Sequence, residues 1–269
     1  MRIFGLLLLF LVSPGCFAAL ELQGSFVQGG VVFGKTVPGA VVLQDGDKVP
    51  VSPDGDFVIG FSREAPEHSE LVVGLPDGTR ETRRLKIARR DYNIQRIDGL
   101  PQRKVTPRKE DQERIEADQA AVKKARARLD QRIDFLQGFD WPARGRITGV
   151  YGSQRILNGK PKWPHYGVDI AGPVGKPVRA PAAGIVTLAH PDMFYSGATL
   201  IIDHGHGLSS TFLHLHKILV REGQRVEKGQ VVAEMGASGR VTGPHLDWRM
   251  NLRGKRVDPQ LLAGPMTTE

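Results

Sequence analysis

Apolar positions in the first hundred residues fall into short β-branched groups, Val31-Val-Phe, Ala40-Val-Val-Leu, Val49-Pro-Val-Ser, Phe57-Val-Ile-Gly-Phe and Leu71-Val-Val-Gly, set apart by Asp45-Gly, Pro53-Asp-Gly and Pro76-Asp-Gly. Short groups bounded this way predict strands, because glycine supplies positive φ and proline and aspartate preset a turn. Several strands at such spacing predict a small sandwich over residues 19–100. From Pro101 to Gly138 the period changes: Ile115, Val122, Ala125, Leu129, Ile133 and Leu136 follow at 7, 3, 4, 4 and 3 positions in a background of Arg, Lys, Glu, Asp and Gln. That is one narrow apolar stripe on a helix, entered near Pro107 just upstream of Glu110 and closed at Gly138. It predicts a helical linker over 101–139, its stripe packed on a domain or, as the alternative, on a partner. Beyond residue 140 short apolar groups return, among them Gly184-Ile-Val-Thr-Leu, Thr199-Leu-Ile-Ile and Val231-Val-Ala-Glu. They predict a second strand-rich domain over 140–264.

Ahead of the first strands, Arg2 precedes an apolar run from Ile3 to Val12, which Ser13-Pro-Gly breaks. The run is far too short to span a bilayer but suits a secretory leader. Cys16-Phe-Ala18 offers a small-x-small cleavage site, so residues 1–18 are expected to leave, and the mature chain to begin at Ala19 in the periplasm or cell envelope. No transmembrane segment is expected. Lipidation at Cys16 is the alternative, disfavoured by Ser13 where a lipobox has leucine. Cys16 is the one cysteine, which excludes a disulfide framework and a cysteine-ligated zinc site.

With 40% apolar and 25% charged residues, the 269-residue chain has the composition of a globular protein of about two domains. Its net charge of +8 would fall to +7 with the loss of Arg2. An exported protein meets no nucleic acid. The basic surface is suited to anionic envelope material, such as lipid headgroups or the carboxylates of peptidoglycan peptide stems, unless it serves solubility alone.

Candidate chemistry lies in two constellations about eighty positions apart, His165-Tyr-Gly-Val-Asp169 and His245-Leu-Asp247. Side chains alternate faces along a strand, so residues four or two apart point the same way and each pair can aim at one point. Imidazole and carboxylate both suit a divalent cation, and three protein ligands leave a position for an activated water. Either pair alone would more often be a hydrogen-bonded pair at a strand edge.

In context the pairs gain weight. Trp163-Pro-His-Tyr-Gly-Val-Asp, Ala180-Pro-Ala-Ala-Gly-Ile-Val, Leu200-Ile-Ile-Asp-His-Gly-His-Gly, Thr211-Phe-Leu-His214-Leu, Gly223-Gln-Arg-Val-Glu-Lys-Gly, Thr242-Gly-Pro-His245-Leu and Val257-Asp-Pro follow in that order. Over roughly the last 120 residues the chain resembles the M23 metallopeptidases, the lysostaphin-like and LytM-like peptidoglycan endopeptidases. The resemblance implies a mainly β protein with a C-terminal antiparallel β-sheet domain carrying a groove, which suits an extended peptide. The N-terminal segment resembles, less specifically, the Ig-like modules that precede such domains. Carried over by position, the resemblance makes His165, Asp169 and Asp247 the ligands of one Zn2+ per chain and His214 and His245 the catalytic histidines. His216 is placed at the surface or behind the ligands, and His204 and His206 in a turn. Trp163 and Trp248 are expected to be groove walls or core.

One position departs from the family. Asp247 stands where a second histidine usually binds zinc. Carboxylate still binds zinc, but a second ionised ligand would take the formal charge of the site from +1 to zero and weaken its hold on a hydroxide. A harder ligand set also brings Mn2+ or Fe2+ into competition. The expected function is metal-dependent hydrolysis of peptide cross-links in peptidoglycan. The alternative is a catalytically degenerate protein that binds peptidoglycan or activates another wall hydrolase, with an envelope partner engaged through the N-terminal domain or the linker helix.

Overall fold

The computed structural model describes residues 20–97, 109–157 and 160–267; the leader, with Cys16, and the expected helix start at Pro107 lie outside them. Seven strands open the described chain: β1 (Leu20–Gly24), β2 (Val31–Thr36), β3 (Val41–Gln44), β4 (Asp47–Val49), β5 (Asp56–Gly60), β6 (His68–Gly74) and β7 (Arg80–Lys86). They form two antiparallel sheets, ordered β1-β2-β5 and β4-β3-β6-β7. Between the sheets Val32, Phe57, Ile59, Leu71 and Val73 make one core. The β3–β4 turn is the Asp45-Gly46 pair, with φ of 54° and 87°, the paired positive φ of a tight hairpin.

All five residues of β5 are buried, and alternation explains why. Phe57 and Ile59 face the sandwich core, while Val58, with Val31 of β2, enters the core of the C-terminal domain. The β1-β2-β5 sheet is therefore covered on both faces. Phe33 stacks on Phe135 at 5.8 Å, and Arg90 reaches Asp258 at 2.7 Å. Arg253 donates to the Val58 carbonyl at 2.9 Å.

After β8 (Ile94–Ile97), the helix α1 runs from Gln112 to Ala125. It is shorter than the apolar stripe implied. Past Ala125 the chain is tied down by ions rather than by helix bonds: Arg132 pairs with Asp130, Asp134 and Asp203, and only one 3-10 turn, Asp134–Gln137, follows. Leu129 and Leu136 of the expected stripe are exposed, at 60% and 45%, and Phe135 is the buried anchor instead.

The C-terminal domain contains β9 (Ile147–Gly149), β10 (Gln154–Leu157), β11 (Lys160–Pro161), β12 (Gly167–Ala171), β13 (Pro177–Arg179), β14 (Gly184–Met193), β15 (Gly197–Asp203), β16 (Leu208–Ile218), β17 (Arg225–Val226), β18 (Val231–Met235), β19 (His245–Leu252) and β20 (Lys255–Val257). The main sheet is ordered β17-β14-β15-β16-β19-β12-β9. Along β19 the even residues Leu246, Trp248, Met250 and Leu252 fill the core. Alternation gives His245, Asp247, Arg249 and Asn251 to the opposite face. Helix α1 lies on that face too, where Ala121, Val122 and Ala125 pack on Leu188, Met193 and Ile201.

Candidate metal centre

Two strands and the segment before one of them bring the predicted ligands together. Asp169 of β12 pairs in register with Asp247 of β19, and His165 sits just before β12, its backbone held by Gly152 and Ser153. Its Nε2 lies 3.1 Å from Asp169 Oδ1 and 3.5 Å from Asp247 Oδ2. One ligand atom from each residue falls within 4.8 Å of the others. Glycines make the approach feasible: a Cβ at Gly149 would run into the Asp169 carboxylate, and one at Gly167 would meet Asp247 Oδ1 at 2.6 Å.

These residues fit a cation. Ligands about 2.0–2.1 Å from a tetrahedral metal stand roughly 3.3–3.4 Å from one another, close to the two separations seen. His165 Nε2 and Asp169 Oδ1 are buried and neither has a hydrogen-bond partner, an arrangement that is costly unless something bonds to both. His165 Nδ1 is 3.3 Å from the Val150 carbonyl. A carbonyl only accepts, so Nδ1 carries the proton and Nε2 is left to point at the carboxylates.

The two candidate catalytic histidines share this device. His214 Nδ1 donates to the Ser238 carbonyl at 2.9 Å and His245 Nδ1 to that of Gly243 at 2.8 Å. Their rings are 5.0 Å apart, and His245 Nε2 is 3.8 Å from Asp169 Oδ1. His214 owes its direction to an irregularity. Before it, β16 pairs with β19; after it, β16 pairs with β18, and at the change His214 has φ 63°. A positive φ in a non-glycine residue stores strain, and the kink aims the ring at the centre. His216, beyond the kink, is exposed and is not a ligand.

Charge at the centre differs from the sequence expectation. Asp247, 2% exposed, is gripped by Arg249: Nε is 2.9 and 3.1 Å from the two carboxylate oxygens, and the terminal nitrogen is 2.5 Å from Oδ2. Burial alone would raise the Asp247 carboxyl, but Arg249 and then His165 hold it well below the usual carboxylate range. Burial likewise opposes charge on His165, yet Asp169 and Asp247 push its pKa up to about 10. His214 is lowered, first by burial, and stays neutral near pH 7. Arg249 was missed in the sequence, although its i,i+2 relation to Asp247 puts both on one strand face.

The remaining histidines and tryptophans are elsewhere. His204 and His206 sit in the β15–β16 turn as expected, but wholly buried. Trp248 is core, edge-on to Trp141 at 5.7 Å, while Trp163, two residues before His165, is 87% exposed.

The family model of peptidase family M23 matches residues 163–259. A solved structure described as a candidate M23 peptidase from Pseudomonas aeruginosa is 32% identical, with a TM-score of 0.69 over 88% of this chain and 95% of that one. Peptidoglycan DD-endopeptidase ShyA of Vibrio cholerae is 41% identical over 107 residues, 39% of this chain and 24% of ShyA. The lipoprotein NlpD/LppB homolog of Pseudomonas aeruginosa is 38% identical over 122 residues, 45% of this chain and 38% of the homolog. The chain thus spans well under half the length of these curated relatives.

Proposed function

The chain belongs to peptidase family M23, and on that premise we propose that it is an exported metal-dependent endopeptidase that cleaves peptide cross-links of peptidoglycan. The observation that carries this reading is the convergence of the His165 and His245 Nε2 atoms, each freed by an Nδ1 bond to a backbone carbonyl, on the in-register pair Asp169 and Asp247, with the His214 ring beside that of His245. His165, Asp169 and Asp247 would hold the metal, with Zn2+ first and Mn2+ or Fe2+ as competitors. When bound, a divalent cation supplies Lewis acidity and lowers the pKa of water toward neutrality. His214, kept neutral by burial, accepts a proton at Nε2. His245, whose ring lies 5.0 Å from that of His214, offers a proton or a hydrogen bond to the developing oxyanion.

Arg249 bears on the doubt that Asp247 raises. Two ionised carboxylates and one guanidinium leave a divalent cation with a formal +1, the charge that one carboxylate and two histidines would leave. The Asp247–Arg249 pair acts as a neutral ligand in place of histidine. ShyA is a peptidoglycan endopeptidase by name, which supports the substrate class. No helix among the described residues is long and apolar enough to cross a membrane, and the leader-like residues 1–18 support export.

A second reading, a wall-binding protein without catalysis, is favoured by the same Arg249 contacts, since they engage the carboxylate that a metal would need. One experiment separates the two. Purified protein is assayed on cross-linked muropeptides before and after chelation, beside His165→Ala. Chelation and the variant should each lower cleavage by at least about 10³-fold, the scale on which removal of a catalytic group acts. Sacculus binding with no cleavage by metal-loaded wild type would establish the binder.

A further inference from the structure

Beyond the metal centre, the face of β19 continues into a cavity of about 600 Å³ between α1 and the sheet. Residues two apart along a strand are about 7 Å apart, so the two steps from Asp247 through Arg249 to Asn251 put the cavity about four residues of an extended peptide away. Its wall includes Ser196, whose carbonyl accepts the His214 N–H at 2.9 Å. The cavity thus adjoins the segment that carries His214, and its volume is that of a ligand site.

Its chemistry is one-sided. Arg126 and Arg256 line it with Lys123, against one acid, Asp118. Asp118 is already committed to the Phe194 N–H at 2.7 Å. Arg126 has Thr211 Oγ1 as partner at 2.8 Å, and its Nε is buried with none. Asn251, 2% exposed, also lines the cavity and its Nδ2 has no partner. Among the described residues neither Arg126 nor Arg256 forms an ion pair. Burial first, and then repulsion from Arg256 and Arg249, bring Arg126 down to about 9. Buried cations and amide donors left unpaired are costly unless an anion completes the site.

We propose that this cavity is a carboxylate-recognition subsite of the peptide groove, in which Arg126, Arg256 and Asn251 bind a carboxylate of the substrate peptide within about four residues of the bond to be cleaved. The proposal rests on the peptidase reading above and adds to it what the groove selects: a free acid, at the chain end or on a side chain, over its amide.

Titration calorimetry on chelator-treated protein tests it without turnover. The probes are N-acetyl-Ala-D-Glu-Lys-D-Ala-D-Ala as the free acid, as its C-terminal amide, and as the amide of the D-Glu carboxylate. One of the amides should bind at least tenfold more weakly than the free acid, and which one identifies the carboxylate. In Arg126→Gln and in Arg256→Gln that discrimination should shrink to within about twofold, with Arg126→Lys restoring part of it and melting temperatures close to wild type. Equal binding of all three peptides, no binding of any, or variants that weaken all three alike would overturn the subsite. Muropeptide cleavage by the wild type, measured separately, keeps the readings apart. Cleavage with no preference for an acid sinks the subsite alone, and acid-selective binding without cleavage sinks the peptidase alone.

Discussion

The metal centre and the β15–β16 turn both gather histidines, and they treat them in opposite ways. At the centre His165 faces two carboxylates whose charge outweighs burial, and its pKa rises to about 10. In the turn His204 and His206 are buried, and burial pushes both down to about 4. His204 uses both nitrogens, with Ala183 O at 2.7 Å and Ser210 Oγ at 2.8 Å, whereas His165 Nε2 has no hydrogen-bond partner. A histidine is marked as a ligand by an open Nε2 turned toward carboxylates, with its other nitrogen fixed. Two histidines close together, as in Asp-His-Gly-His-Gly, are no such mark.

The contrast depends on the Asp247 charge being balanced by Arg249, and its removal is the strongest way to break it. Arg249→Gln leaves a buried carboxylate with His165 as its one cationic neighbour. Taking away one partner of a buried pair costs about 3–5 kcal/mol, and the sharing with His165 favours the lower end. Melting of chelated protein at pH 7.5 should therefore fall by several degrees. Added zinc should narrow that deficit, because a bound cation replaces the lost positive charge. Metal affinity or activity should drop by about 10–100-fold, as for other groups that orient a ligand. An unchanged melt in the chelated state would mean that Arg249 is not the counter-charge of Asp247.

Much of this was legible in the sequence, and the misses share a cause. The meeting of His165, Asp169 and Asp247 could be read from motif order because glycines at 149 and 167 and the strand register leave few alternatives for where Asp169 and Asp247 meet. Strands β3 and β5 were visible as apolar groups, but β7, Arg-Glu-Thr-Arg-Arg-Leu-Lys, was not: only Leu85 in it is buried, so it carries no alternation to read. The linker helix was overextended because Leu129, Ile133 and Leu136 keep a helical spacing while Arg132 pins the chain to three aspartates instead. Ion pairs between segments far apart in sequence leave no periodic trace. Arg249 was missed for a related reason: a basic residue beside a site reads as surface until its partner is known.

The turn side of the contrast can be sharpened by acid. A histidine whose folded pKa lies below its unfolded value adds stability above the unfolded value, and that stability is lost as pH falls toward the folded one. For His204 the window runs from 6.5 down to about 4, and a shift of that size on a buried group amounts to about 3 kcal/mol at most. Urea melts between pH 7.5 and 4.5 should show stability falling with pH. His204→Gln should flatten the slope, and what remains combines His206 with the opposing contribution of Asp203, whose carboxyl burial raises to about 6. An unaltered slope would mean that the turn histidines do not titrate in this window.

The smallest expected effect separates two histidines only two positions apart. His214 and His216 would share a face in a regular strand, and the sequence left His216 behind the ligands or at the surface. The kink at His214, where β16 exchanges β19 for β18, turns one ring into the cleft and leaves the other exposed. His214→Ala should slow cleavage by about 10²–10⁴-fold, the range for a lost acid or base. His216→Ala should change cleavage and metal affinity by less than about twofold and stability by no more than about 0.5 kcal/mol, as exposed substitutions do. If His216→Ala costs as much as His214→Ala, the strand runs regularly through this point and the kink does not aim the catalytic ring.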